Sequence, residues 1–151
     1  MKSIRAATAV DTEIILSFIN ELAVFEKLQH QVKATTKILQ QNLFGENSVA
    51  EVLIASLDGK PVGFALFFKN FSTFLGQPGM YLEDLYVQEK FRGEGFGKLL
   101  LQELFEICRK RHYQRMDWSV LDWNIKAIEF YESLGAEMLP NWRTFRMTKF
   151  I

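Results

Sequence analysis

Glycines occupy three alternate positions, Gly93, Gly95 and Gly97, between an apolar run and a segment with helical periodicity. Because glycine has no Cβ, the backbone N–H groups of such a loop can converge on an anion, and a helix that begins there adds its positive end. The sequence therefore predicts a strand, a phosphate-binding loop over residues 92–98 and a helix in direct succession.

The spacing of this loop excludes two common phosphate-binding motifs. A Walker-type loop has a glycine five residues before its Gly-Lys pair and a serine or threonine after it, but Arg92 and Leu99 stand there. In a dinucleotide-binding fingerprint that starts at Gly93, the third glycine would fall on Lys98. The pattern that remains is Arg-x-x-Gly-x-Gly.

Length and composition indicate one globular domain over residues 1–151. The chain is 48% hydrophobic, which is enough for a single core. Its 18 basic residues balance 18 acidic ones, so no overall charge attracts a nucleic acid or an anionic membrane. No apolar run approaches the roughly 18 residues that cross a bilayer. We therefore expect a soluble cytoplasmic protein that binds neither nucleic acid nor membrane.

Hydrophobic periodicity predicts an alternation of strands and helices. The turn Asp58-Gly59 is a strong signal for an antiparallel hairpin, whereas the later strand-helix-strand order indicates parallel neighbours. The pattern thus predicts a mixed α/β sheet. The first predicted strand begins at Ile4. The other predicted strands cover residues 49–57, 62–69, 80–87, 116–120 and 142–150. The first predicted helix follows Asp11, which is its N-cap. The other predicted helices cover residues 36–43, 98–111 and 125–134, and Gly135 closes the last of them.

Two further segments accompany the glycine loop at characteristic distances. Residues 81–87 read Tyr-Leu-Glu-Asp-Leu-Tyr-Val, and residues 124–136 read Asn-Ile-Lys-Ala-Ile-Glu-Phe-Tyr-Glu-Ser-Leu-Gly-Ala. With the Arg-x-x-Gly-x-Gly pattern, they give the chain a resemblance to the GNAT superfamily of acyl-CoA-dependent N-acyltransferases over nearly its whole length. Residues 21–27, the Leu-Glu-Asp strand and the pair Trp142-Arg143 are most similar to the diamine (spermidine/spermine) acetyltransferase group.

The resemblance implies the fold, the cofactor and the assembly. The expected fold is a GNAT-like mixed, mostly antiparallel sheet with a central splayed parallel strand pair, flanked by helices. The expected cofactor is acetyl-CoA (coenzyme A), and a homodimer is expected. The cofactor-binding residues that the resemblance implies are Leu85, Tyr86, Val87, Arg92, Gly93, Glu94, Gly95, Phe96, Gly97, Lys98, Asn124, Lys126, Ala127 and Tyr131.

Acetylation of an amine requires its free base, and Glu83 is the residue that the resemblance assigns to proton removal through water. At pH 7 only about one primary amine in 2,500 is unprotonated, and a glutamate lies about six pKa units below it. Glu83 can therefore act only with help from desolvation or a relaying water. An exposed or merely orienting Glu83 is the alternative. By strand alternation, Asp84 is expected on the opposite face, as a support for the loop or backbone.

The departing thiolate needs a proton, and the resemblance assigns this role to Tyr131. A phenol is a weaker acid than a thiol by about 1.5 pKa units, so proton transfer must accompany bond cleavage, or Tyr131 must have a lowered pKa. The alternative is a packing residue beside Phe130. His30 and His112 stand far apart and no Cys or His cluster accompanies them, so no metal site is expected.

The acceptor is expected to be a small primary amine: a diamine, a polyamine or a lysine-like amino acid. By resemblance it is held by Phe25, Glu26, Glu83 and Trp142. The segment before Trp142 reads Leu-Pro-Asn and carries no carboxylate, which weakens the case for spermidine and favours a shorter amine. The reaction is expected to be direct attack in a ternary complex. A non-catalytic acyl-CoA-binding or sensing module is the alternative function.

Overall fold

The computed structural model describes residues 1–150, which divide into a compact unit over Met1–Ser119 and a second that begins at Val120. The single domain predicted from chain length stays a prediction. The strands are β1 (Lys2–Ala6), β2 (Glu51–Leu57), β3 (Lys60–Ser72), β4 (Gln77–Val87) and β5 (Met116–Asp117). The helices are α1 (Thr12–Phe25), α2 (Thr36–Phe44), α3 (Phe96–Lys110) and α4 (Ile125–Ser133).

The first unit contains one five-stranded sheet in the order β1-β2-β3-β4-β5. The pairs from β1 to β4 are antiparallel, and β4 pairs with β5 in parallel. Asp58 and Gly59 have φ angles of 48° and 79° in the tight turn between β2 and β3. Positive φ at both central residues matches the right-handed twist of a hairpin, so this predicted turn is confirmed.

The strand predicted over residues 142–150 is wrong. Among the described residues no strand follows Asp117, and the apolar side chains that suggested one are exposed, by 73% at Trp142 and 93% at Phe145. A strand needs a hydrogen-bonded neighbour as well as suitable residues, and no such ladder includes this segment. The parallel pair β4–β5 consequently lies at one edge of the sheet, where a central pair was predicted.

Helices cover both faces of this sheet. Alternating residues of β2 and β3 direct Ile54 and Phe64 towards α1, where Phe18 stacks on Phe64 with 5.7 Å between ring centres. The opposite face is covered by α3, which packs against β1 to β4. The buried α3 residues are Phe96, Leu100, Leu101 and Leu104. These residues form an apolar stripe along one face of α3, which confirms the helix predicted from periodicity, and Cys108 near the end of this helix is partly buried.

Two irregularities shape β4. Leu82 pairs with Phe67 and Asp84 pairs with the adjacent Leu66, so Glu83 is the extra residue of a β-bulge. In addition, the parallel ladder to β5 stops at Tyr81. The strand pair is therefore splayed as expected, and the edge of β4 beyond Tyr81 has no partner strand within the described chain.

Candidate active site

The glycine loop leads into the first turn of α3 in the way a phosphate site requires. Gly93 and Gly95 have φ angles of 80° and 88°, and Gly95 caps the helix. The first intrahelical hydrogen bond runs from the N–H of Leu99 to the Gly95 carbonyl at 3.0 Å. The N–H groups of residues 95–98 come before this bond and have no acceptor within the helix. A Cβ at Gly93 or Gly95 would meet no heavy atom within 4 Å, which leaves space for a ligand against the backbone.

Phe96 is the buried anchor of this loop, because its side chain is 1% exposed. Its ring meets that of Phe91 edge to face at 6.3 Å, and the Lys2 ammonium lies 5.1 Å from its centre while bonding to the Glu94 carbonyl. The Phe96 side chain is thus not available to a ligand. The predicted cofactor residues Gly93, Glu94, Gly95 and Lys98 are exposed, and Gly97 is partly so.

The unpaired edge of β4 presents backbone groups of Leu85 and Val87. The N–H of Gln88 donates to the Val62 carbonyl at 2.9 Å. This bond shows which residue pairs of the antiparallel ladder between β4 and β3 are hydrogen-bonded. Because bonded and non-bonded pairs alternate, Tyr86 bonds to β3 while Leu85 and Val87 direct their N–H and C=O groups to the other edge. On that edge Leu85 therefore presents both backbone groups and Val87 presents its N–H, since the Val87 carbonyl accepts from Arg92.

Arg92 folds back from the glycine loop towards α1. Its Nε donates to the Val87 carbonyl at 2.9 Å, and its guanidinium lies 4.6 Å from the ring centre of Phe25 and 5.6 Å from that of Tyr86. A cleft of about 790 Å³ opens beside these side chains, between α1 and the end of β4. The structure thus brings together residues that were predicted for two different ligands.

Three carboxylates interact where α1 ends beside β4. Burial raises the pKa of Asp84 to about 7, and the negative charges of Glu83 and Glu26 add to this effect. Burial also raises the pKa of Glu26. Asp84 lies two residues from Tyr86 and therefore on the same face, towards α1, where Tyr86 packs at 6.1 Å from Phe18.

The bulge breaks the strict alternation from which Asp84 was predicted to support the loop or backbone. An extra residue in β4 shifts every later side chain to the other face relative to the earlier part of the strand. Met80, before the bulge, lies beside Cys108 of α3, whereas Tyr86, after it, packs against α1. Asp84 is accordingly part of the acidic group with Glu26, which residue spacing alone did not reveal.

The second unit holds the remaining predicted residues. Asn124 caps α4, its side-chain oxygen accepting from the N–H of Ala127 at 3.3 Å. Lys126 is exposed, and Tyr131 is partly buried with its ring 5.4 Å from that of Phe130. Gly135 follows the helix at a φ of 91°, as predicted for its closing residue.

Glu21 is a residue of the cleft that sequence reasoning missed. Its carboxylate accepts a hydrogen bond from the Tyr86 hydroxyl at 2.9 Å and bonds from the Gln88 side-chain amide at 3.2 Å. The available signal was its position four residues before Phe25, which places both side chains on one face of α1.

Metal-binding side-chain groups and membrane-spanning helices are both absent from residues 1–150. No group of three or more His, Cys, Asp or Glu side chains there could hold a metal ion. None of the helices within that range has the length and apolar character needed to span a membrane.

Comparison with known proteins identifies the family. The Acetyltransferase (GNAT) family profile matches residues 16–136. Thialysine N-epsilon-acetyltransferase from Mus musculus is 37% identical over 95% of this chain and 90% of its own. L-ornithine N5-acetyltransferase NATA1 from Arabidopsis thaliana is 32% identical over 96% of this chain and 83% of its own. A solved integron cassette protein from V. cholerae has a TM-score of 0.80 at 27% identity, over 98% and 93% of the two chains. The chain therefore belongs to the GNAT acetyltransferase family and is an N-acetyltransferase.

Proposed function

We propose that this enzyme transfers the acetyl group of acetyl-CoA to a primary amine of a small acceptor, by direct attack in a ternary complex. The observation that carries this proposal is Asp84, a carboxyl group with a pKa of about 7 between the charges of Glu83 and Glu26. A carboxylate with that proton affinity suits the removal of a proton from a cationic amine.

The donor site is proposed along the free edge of β4 and the glycine loop. The N–H groups of residues 95–98 would hold the pyrophosphate, and the backbone groups of Leu85 and Val87 would hold the pantetheine arm. By family resemblance, Asn124, Lys126 and Ala127 are further cofactor-binding residues. Acetyl-CoA supplies an activated acetyl thioester, and the chain supplies its orientation and the proton transfers.

The base is proposed to be the pair of Glu83 and Asp84. A primary amine has a pKa of about 10.4, so an ordinary glutamate lies about six units below it, whereas a group at about 7 lies about three below. Glu83 is exposed and can receive the proton through water, while the partly buried Asp84 supplies a carboxyl group whose pKa is raised. Tyr131 would protonate the departing thiolate as its bond to the acetyl carbon breaks.

The acceptor is proposed to be a short diamine or a lysine-like ω-amino acid. Glu26 and Glu83 can match one or two cations, whereas the Leu-Pro-Asn segment before Trp142 offers no anion to a longer polyamine. The names of the relatives point the same way, because thialysine and L-ornithine are both amino acids with a second amine. By family resemblance, Phe25 and Trp142 are further acceptor-binding residues. A homodimer in the cytoplasm stays a prediction.

The test is release of free thiol from acetyl-CoA in the presence of single amines under one set of conditions. The panel contains a short diamine, thialysine, L-ornithine, spermidine and spermine. We expect the highest kcat/KM with the short acceptors and the lowest with spermine. Binding of CoA without thiol release for any amine would favour the sensing module, and a clear preference for spermine would overturn the short acceptor.

A further inference from the structure

Two residues on one face of α1 hold the chain between β4 and the glycine loop. The first is Glu21, which accepts from the Tyr86 hydroxyl at 2.9 Å and from the Gln88 amide nitrogen at 3.2 Å. Tyr86 and Gln88 are alternate residues at the end of β4. One carboxylate on the helix therefore binds two points of the strand just before it enters the loop.

The second is Phe25, one helical turn further on. Its ring lies 4.6 Å from the guanidinium of Arg92, whose Nε donates to the Val87 carbonyl at 2.9 Å. The backbone N–H of Arg92 also donates to the Glu89 carbonyl at 3.1 Å. These contacts hold the exposed Arg92 side chain between Phe25 and the end of β4.

The glycine loop has few other restraints at this end. Its far end is fixed by the buried Phe96, but Gly93 and Gly95 are exposed and a side chain at either would meet open space. Glycine adopts many backbone conformations, so the loop keeps one shape only when both ends are held. The contacts to α1 hold the end that begins at Arg92.

We infer that Glu21 is a positioning residue for acetyl-CoA, which acts through Tyr86 and Gln88 to fix the end of β4 and, with Phe25, the start of the glycine loop. This inference rests on the proposed function. It assigns two tasks to the end of α1, because Glu26, the residue that follows this helix, interacts with Asp84 in the proposed acceptor site.

The principal variant is Glu21→Gln, with Glu13→Gln as its matched control. A glutamine would place an amide nitrogen where a carboxylate oxygen now accepts from Tyr86 or Gln88, so at least one bond is lost. Glu13 lies two turns earlier on α1, lines the same cleft and is exposed, and it loses the same charge. The measurements are Kd for CoA by calorimetry, KM for acetyl-CoA, kcat, and amide hydrogen exchange of residues 86–98 without ligand.

In Glu21→Gln we expect Kd and KM to rise about tenfold, which corresponds to about 1.4 kcal/mol, with kcat at saturation within about twofold of wild type. Exchange of the loop amides should accelerate. In Glu13→Gln all four quantities should stay close to wild type. Tyr86→Phe removes the same hydrogen bond from its other partner. Since Glu21 acts through Tyr86, the loss of CoA binding free energy in the double variant should be smaller than the sum of the losses in the two single variants.

Three results would overturn the inference. Unchanged Kd and unchanged loop exchange in Glu21→Gln would show that the contacts do not position the loop. A lower Tm with a normal Kd for CoA would show that Glu21 contributes to stability alone. Equal increases of Kd in Glu13→Gln and Glu21→Gln would show that the loss of negative charge in the cleft, and not the loss of the Glu21 hydrogen bonds, weakens CoA binding. If the wild-type protein itself failed to bind CoA, the proposed function would fall, while the exchange measurement would still decide whether Glu21 fixes the loop.

Discussion

Asp84 of β4 pairs with Leu66 of β3, one position after the bulged residue of β4. The bulge turns the side chain of Asp84 towards α1, where burial raises its pKa and the charges of Glu83 and Glu26 add to this effect. A single extra residue in a strand thus places a partly buried carboxyl group among other carboxylates. This arrangement costs stability when Asp84 is ionised, and it gives the proposed base its proton affinity.

Asp84→Asn is expected to raise Tm at pH 8 and to leave it nearly unchanged near pH 4. The pKa of Asp84 is about 7 in the folded chain and about 3.8 as a free side chain, so between these values the folded state holds a proton that the unfolded state has lost. Wild-type stability therefore falls as pH rises through this window, and the amide removes that loss. Thermal unfolding of wild type and Asp84→Asn over pH 4–8 measures this loss of stability. Parallel curves of Tm against pH for the two proteins would contradict a raised pKa at Asp84.

Glu83→Gln is expected to lower kcat/KM and to shift its rise with pH towards the pKa of the acceptor amine, because the proton then leaves without a base. Asp84→Asn should shift the profile in the same direction, since the two residues are proposed to act as a pair. Full pH profiles of kcat/KM with one short diamine provide the measurement. A rise in KM alone, with an unchanged profile, would make Glu83 an orienting residue.

Gly95→Val is expected to weaken CoA binding more than tenfold, because the new side chain would fill the space that the pyrophosphate needs. Gly59→Val is the matched control. Gly59 has a φ of 79° against 88° at Gly95, and a Cβ at either meets nothing within 4 Å. Both variants carry the same backbone strain and should lose similar Tm. Equal Kd values for CoA by calorimetry would remove the glycine loop from the cofactor site.

Local patterns predicted the parts of this molecule that depend on near neighbours in the chain. The Asp58-Gly59 turn and the apolar stripe of α3 both follow from residues within a few positions of one another. The strand over residues 142–150 was mispredicted from patterns of the same kind. A strand forms only when another strand supplies its hydrogen-bond partners, and the residues of the segment alone do not show whether such a strand is present.

The candidate site was predictable as a set of residues but not as an arrangement. The bulge at Glu83 is a property of the register between β3 and β4, so alternation within β4 alone placed Asp84 on the wrong face. The contact between Phe25 and Arg92 joins residues far apart in the chain. Family resemblance named both residues, but only tertiary packing shows that they touch.

Tyr131→Phe is expected to reduce kcat by about 10² to 10⁴ while Kd for CoA stays close to wild type. The variant keeps the ring that packs beside Phe130 at 5.4 Å and removes only the hydroxyl. Tyr113→Phe, which removes a hydroxyl after α3, is the control and should turn over normally. Near-full turnover of Tyr131→Phe at saturating acetyl-CoA would rule out the general-acid role and leave packing as its function.

Asp11→Asn is expected to lower Tm by several degrees at neutral pH and to have progressively less effect below pH 4. The Arg5 guanidinium bonds to both oxygens of Asp11, at 2.7 and 2.8 Å, and holds the pKa of this buried carboxyl at about 2, with help from the Thr8 N–H. A depressed folded-state pKa contributes stability above the free value of about 3.8, and the contribution disappears as pH falls to about 2.

Thermal unfolding of wild type and Asp11→Asn between pH 2 and pH 7 measures this contribution. A change of 1 kcal/mol moves Tm by about 2–4 °C in a chain of this size, so the difference is measurable. Asp58→Asn serves as the control, because Asp58 pairs with the terminal amino group at an exposed site, where ion pairs contribute little. The two Tm curves of wild type and Asp11→Asn should converge as the solution is acidified from pH 4 to pH 2, whereas a constant separation would show that the ion pair with Arg5 is not the cause.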